Sequence, residues 1–234
     1  MTSYLFGTPE VRSIPVVGQE AEYPVHRIFC VGRNYEAHAK EMGNEVDREA
    51  PFYFTKQLHA VEASGATIPY PPATSNLHYE MELVFVIGAP VFRCSVDEGA
   101  AAIYAYGCGL DMTRRDLQAK AKETRRPWSV AKDFESAAVL APLTMADEFG
   151  AVGEQRIYLS VNGEVRQDAK LSDMIHKCAE IVADLSKHYH LKPGDVVMTG
   201  TPAGVGAVQA GDVMRGGIDG LTDVSLTLGE REAG

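Results

Sequence analysis

Tryptophan and cysteine are both scarce: the 234 residues hold one Trp and four Cys. Cys30, Cys94, Cys108 and Cys178 are scattered and form no CxxC pair. They read as small buried hydrophobes in a reducing compartment. No apolar run approaches the ~20 residues needed to span a bilayer. The start, Met1-Thr2-Ser3-Tyr4, lacks the charged region and apolar stretch of a signal peptide. A soluble cytoplasmic protein is therefore expected. Excess basic charge is also missing, since 22 Lys and Arg face 32 Asp and Glu for a net charge of -10. Arg114, Arg115, Arg125 and Arg126 make only a local basic patch, which excludes a phosphate-rich nucleic-acid partner. Internal repeats and low-complexity linkers are absent as well.

What is present is enough apolar sequence, 45% of residues, for a sizeable core in one domain. Residues 1–25, with Pro9, Pro15 and Pro24, suggest an irregular or edge-strand N-terminal segment. Residues 26–234 form the domain proper. Strands are expected at Arg27 to Gly32, Leu83 to Gly88, Val196 to Thr199 and Asp223 to Leu228. Asn162-Gly163 between Ile157–Val161 and Glu164 marks a hairpin. A short helix is expected from Tyr35 to Met42, stopped by Gly43. Ser95 and Glu98 have capping-box spacing ahead of a helix over Ala100 to Tyr106. Leu171, Ile175, Cys178, Val182 and Leu185 predict one long amphipathic helix. Without regular βαβ alternation, the class is α+β with a β-rich core.

Glu80 and Glu82 lead into the buried strand at Leu83, and residues two apart on a strand share a face. Side by side near a core, they repel each other and lose hydration, which a divalent cation would relieve. Asp111, after the apolar Tyr106–Leu110, is a candidate third ligand from a neighbouring strand. An all-carboxylate set favours Mg²⁺, Mn²⁺ or Ca²⁺ over zinc. Solvated strand-edge glutamates would give the same spacing. His38 and Glu41, three apart, share a helix face and suit either a surface ion pair or a base with its orienting carboxylate. Phe52 and Phe54 read as core. His78, two residues from Glu80, is expected to pack beside the site rather than to bind the cation. His176, His188 and His190 fall on or just after the long helix, at solvent or last-turn positions.

Several segments together resemble the fumarylacetoacetate hydrolase family. They are Val31-Gly32-Arg33-Asn34-Tyr35 with His38 and Glu41, Pro51–Lys56, Glu80-Met81-Glu82-Leu83, Gly109–Gln118 and Thr199–Gly206. The resemblance runs in order from about residue 27 to the C-terminus, and the length is that of the short, single-domain acylpyruvase and fumarylpyruvate hydrolase branch. It implies a mixed β-sandwich roll, a homodimer, and Mg²⁺ or Mn²⁺ held by Glu80, Glu82 and Asp111. It also implies cleavage of a carbon–carbon bond in a 1,3-diketo acid. Fumarylpyruvate is the favoured substrate if the chain serves aromatic catabolism.

That cleavage needs water added at one carbonyl and an electron sink at the other, which the metal supplies. His38 is the expected base, with Glu41 orienting it. Lys132, at the family's lysine position, is expected to stabilise the oxyanion, although a structural role fits its setting too. Arg33, Arg115 and Lys56 are expected to hold substrate carboxylates, and Gln118 to bond substrate or metal-bound water. Thr201 sits where loop N–H groups suit a carboxylate, or in an ordinary turn. Residues 34–48 suggest a lid that orders over bound substrate. Two other readings stay open: decarboxylation or tautomerisation of a 2-oxo diacid such as oxaloacetate on the same metal, and a non-catalytic metal-binding or assembly protein.

Overall fold

A computed structural model describes residues 5–8, 10–43 and 48–232. Its largest sheet is mixed and runs in the order Phe52–Lys56, Arg27–Gly32, Asp195–Met198, Met81–Ile87, Ile103–Asp111, Ala138–Leu140, Val61–Ala63. A five-stranded sheet packs against it, in the order Glu164–Lys170, Arg156–Val161, Val213–Ile218, Val224–Arg231, Thr67–Tyr70. The expected β-rich α+β class is what the chain adopts. Met81–Ile87 is buried along its whole length, as its unbroken apolar run demands of a strand covered on both faces. The N-terminal segment contributes one small ladder, Ser13–Ile14 against Tyr23–Pro24. Cys30, Cys108 and Cys178 are buried and all four cysteines are free. Among the described residues no helix is long and apolar enough to cross a membrane.

The hairpin at Asn162-Gly163 forms as its sequence dictates, with φ of 52° and 85° at the two turn residues. Two helix expectations need correction. The capping box at Ser95 and Glu98 is made, but its helix is Val96–Ala102, and Ile103 onward is strand. Ile103 and the small and aromatic residues after it fill the sheet next to Met81–Ile87. The long helix from Leu171 is also broken. A 3-10 turn at Leu171–Asp173 is followed by an irregular stretch and then by Cys178–Leu185 alone. Apolar residues at helical spacing continue through the break because both pieces bury onto the same core. His176 precedes this helix, whereas His188 and His190 lie beyond it.

A small third sheet, Thr113–Arg114, Leu77–Tyr79 and Gly206–Val208, fixes the site. Two neighbouring chain segments pass from this sheet into the large one at the same level. One switches at Glu80, between Leu77–Tyr79 and Met81–Ile87; the other switches at Met112, just after Ile103–Asp111. The Asp111 N–H donates to Glu80 O at 2.9 Å across the junction. Glu80 is therefore at a sheet change and not inside the strand that carries Glu82.

Asn34 ties two further segments together. Fully buried, it donates to Thr199 O at 2.8 Å and His176 O at 3.0 Å, and accepts from His176 N at 2.7 Å. Replacing Asn34 by Ala leaves these buried backbone groups unpaired, at about 1–3 kcal/mol each. We expect Asn34→Ala to lose at least about 2 kcal/mol in urea unfolding; a loss below the fitting error would show that the tether is not structural.

Candidate active site

Glu80, Glu82 and Asp111 converge, each offering a carboxylate oxygen within 4.8 Å of the others, and all three are buried. Three buried cations stand against them. Lys132 Nζ donates to Glu80 Oε2 at 2.6 Å and to Asp111 Oδ2 at 2.8 Å. Arg115 Nη2 donates to Glu80 Oε1 at 2.6 Å. Lys56 Nζ lies 2.8 Å from Asp111 Oδ1, yet off the hydrogen-bonding direction, so this oxygen has no hydrogen-bond partner among the described residues. Charge compensation is unequal. Burial alone would raise the Glu80 carboxyl, but Lys132 and Arg115 outweigh it and hold the group well below the usual range.

Glu82 has no ion pair among the described residues; its donor is the Gly200 N–H at 2.8 Å. Burial, then the charges of Asp111 and Glu80, push its carboxyl well above the usual range. An all-oxygen donor set with one under-compensated carboxylate and one buried oxygen that is ion-paired but not hydrogen-bonded suits a hard divalent cation, the class that binds carboxylates directly.

His38, on the helix Glu36–Glu41, faces the same pocket as Glu80 and Glu82. Its Nδ1 is 3.1 Å from Glu41 Oε2, while Glu41 Oε1 accepts from the Gly204 N–H at 3.0 Å. Glu41 is thus fixed at both oxygens. With Nδ1 donating to Glu41, His38 Nε2 is left as the acceptor. The helical part of the expected lid is folded with this dyad made; its residues 44–47 lie outside those described.

The loop from Thr199 to Gly206 serves both halves of the site. Gly200 and Gly204 have φ of +95° and +97°, which only glycine adopts without strain. Their N–H groups go to Glu82 and Glu41, the chain's own carboxylates. Thr201 lines the pocket, and its Oγ1 accepts from Gln167 Nε2 at 2.8 Å. Gln167 is fully buried and its Oε1 accepts from the Met81 N–H, linking this loop to the ligand strand. No motif announced Gln167; it sits on a hairpin strand where a polar residue is ordinary.

Arg33 and Gln118 also line the pocket, the latter accepting from Arg115 Nη1 at 2.7 Å. Lys56 lies behind Asp111, outside the pocket lining, and donates to the Met112 and Lys132 carbonyls. His78 packs beside the site as expected, accepting from Arg115 Nε at 3.4 Å. Burial, then Arg115, push its imidazole down to about 4, consistent with a neutral acceptor. Phe52 is exposed and not core, whereas Phe54 is half-buried and packs against the core with one side. They wall an adjoining cleft with Trp128.

The family model for the fumarylacetoacetate (FAA) hydrolase C-terminal domain matches residues 27–228. A fumarylpyruvate hydrolase of Ralstonia sp is 50% identical over 194 residues, covering 82% of this chain and 100% of that protein. The oxaloacetate tautomerase YcgM of Escherichia coli (strain K12) is 41% identical over 204 residues, covering 87% and 93%. Among solved structures, fumarylpyruvate hydrolase from Pseudomonas aeruginosa in complex with Mn²⁺ and pyruvate superposes with a TM-score of 0.94 at 42% identity, covering 98% of this chain and 100% of that one.

A cation can bind Glu82 only as a carboxylate. In the metal-free protein its raised pKa contributes stability below the ordinary carboxylate range and loses it as pH rises through the raised value. Metal binding should therefore release a proton and tighten with pH. Calorimetric titrations with Mn²⁺ over a series of pH values should show binding that tightens as pH rises through the raised value; an affinity independent of pH would contradict this.

Proposed function

The chain belongs to the fumarylacetoacetate (FAA) hydrolase C-terminal family, and from that premise we propose that it is a metal-dependent hydrolase of acylpyruvates, with fumarylpyruvate as substrate. The observation that carries this reading is that a buried His–Glu dyad and a three-carboxylate cluster face one pocket. A decarboxylase needs only the second of these.

In this reading Glu80, Glu82 and Asp111 hold Mg²⁺ or Mn²⁺. When bound, the cation acts as a Lewis acid toward the 2-oxo acid end of the substrate. His38 Nε2 takes a proton from water as its oxygen adds to the acyl carbonyl carbon. Glu41 keeps the imidazole in the required tautomer and stabilises its protonated form. Lys132, as an ammonium, donates two of its N–H bonds to Glu80 and Asp111 and has a third for the developing oxyanion. The carbon–carbon bond then breaks, its electron pair leaves with the pyruvyl fragment, and His38 returns the proton to that fragment. Gln118, Arg33, Arg115 and the Thr201 hydroxyl orient the substrate's oxygens; Lys56 acts by holding Asp111. Homodimeric assembly, a cytoplasmic location and service in aromatic catabolism belong to the same proposal, supported by the resemblance to short bacterial fumarylpyruvate hydrolases.

A second reading, tautomerisation or decarboxylation of oxaloacetate, is favoured by one observation, the 41% identity to an oxaloacetate tautomerase. A Mn²⁺- and Mg²⁺-supplemented assay of fumarylpyruvate, acetylpyruvate and oxaloacetate side by side separates the two. We expect acylpyruvate cleavage to dominate and to fall about 10²–10⁴-fold in His38→Ala. Conversion of oxaloacetate alone, or acylpyruvate cleavage that survives His38→Ala, would overturn the hydrolase reading.

A further inference from the structure

Beside the pocket lies a cleft of about 880 Å³ whose lining contains no Asp or Glu among the described residues. In a chain of net charge -10 that composition is unusual. Arg33, Lys122, Arg125, Arg126 and Lys132 all line it, and Arg33, Lys122 and Lys132 also line the pocket. The two spaces therefore adjoin and share these walls.

Of these cations only Lys132 is consumed by the carboxylate cluster. Arg33, Lys122, Arg125 and Arg126 have no ion pair among the described residues. Aromatic faces hold two of them. Lys122 Nζ lies 5.1 Å from the Trp128 ring centroid, and Arg33 Cζ lies 5.9 Å from that of Phe52. A ring holds a cation without taking its hydrogen-bond donors, so those donors remain for a ligand.

Arg125 takes a left-handed φ of +53° as the residue that closes the helix Arg115–Glu123, with its N–H on Lys122 O and the Arg126 N–H on Ala121 O, and this cap fixes where the two arginines leave the helix. Lys122 is half-buried, and burial together with Arg115 and Arg33 lowers its pKa. Glu80, on the pocket side, offsets part of this repulsion, and an anion bound in the cleft would relieve the rest.

We propose that Lys122, Arg125 and Arg126 bind the distal carboxylate of a dicarboxylate substrate, whose flat unsaturated acyl chain lies against Trp128 and Phe52. This rests on the acylpyruvate reading and adds what selects among acylpyruvates. The 2-oxo acid end is common to all of them, so only a site at the far end can tell fumarylpyruvate from acetylpyruvate. Arg125 and Arg126 are exposed, so the device that rejects the shorter monoacid is the half-buried Lys122, left without its anion.

Two measurements on the Mn²⁺-loaded protein test it, using Lys122→Met and Arg126→Gln. The first compares kcat/KM for fumarylpyruvate and acetylpyruvate. Each variant should lower the ratio at least tenfold; an equal fall for both substrates, or no fall, would overturn the subsite. The second uses the chain's single tryptophan, Trp128, as reporter. Fumarate should change its emission saturably, with at least tenfold tighter binding than crotonate, and Lys122→Met should erase that preference. Equal binding of the two acids, or a preference that survives in both variants, would overturn the proposal. If the unmodified protein cleaves neither acylpyruvate, the hydrolase reading fails by itself, and the emission titration still decides whether the cleft takes a dicarboxylate.

Discussion

Three carboxylates buried within 4.8 Å of one another are the constraint around which this molecule is arranged. Left alone they would be strongly destabilising, because each loses hydration and repels the other two. The fold answers with Lys132, Arg115 and Lys56, three cations that are themselves buried. The compensation goes mainly to Glu80 and Asp111. Glu82 is left with a glycine N–H, and one Asp111 oxygen lacks a hydrogen bond. Removing one partner of a buried pair is far more damaging than replacing the pair, so these residues form one unit.

The placement of that unit follows from backbone geometry. Two adjacent chain segments leave one sheet for another at the same level, and the change brings Glu80 beside Asp111. The loop after Asp195–Met198 then reaches both the cluster and the His38–Glu41 dyad, through Gly200 and Gly204. A single loop with glycine at its two left-handed positions thus sets the separation between the proposed electron sink and the proposed base. Substitution at either glycine would disturb both at once. At Gly204 a Cβ would run into the backbone carbonyl of Arg166.

Much of this was legible in the sequence. Glu80, Glu82 and Asp111 could be named because the family resemblance joined segments far apart in the chain; their spacing alone fits solvated strand-edge carboxylates as well. The His38–Glu41 contact followed from three-residue spacing on a short helix. Other features had no local signature. Apolar periodicity across residues 171–185 masked a break, since a turn and a helix buried on one core share a pattern. Alternation put Phe52, Phe54 and Lys56 on one face, but not whether that face met core or cleft. Lys56 proved buried behind Asp111, Phe54 packs against the core at the cleft wall, and Phe52 is exposed. Gln167 and Lys122 depend on distant neighbours and could be recognised only in three dimensions.

Everything rests on the carboxylate cluster binding one cation. The most direct measurement is a titration of the purified, chelator-treated protein with Mn²⁺, followed by electron paramagnetic resonance of the free ion. The account predicts one Mn²⁺ bound per chain, with the affinity reduced at least about tenfold in Glu82→Gln, whose amide removes a ligating charge without adding bulk. Undiminished Mn²⁺ binding by Glu82→Gln, or no binding by the unmodified protein, would contradict it.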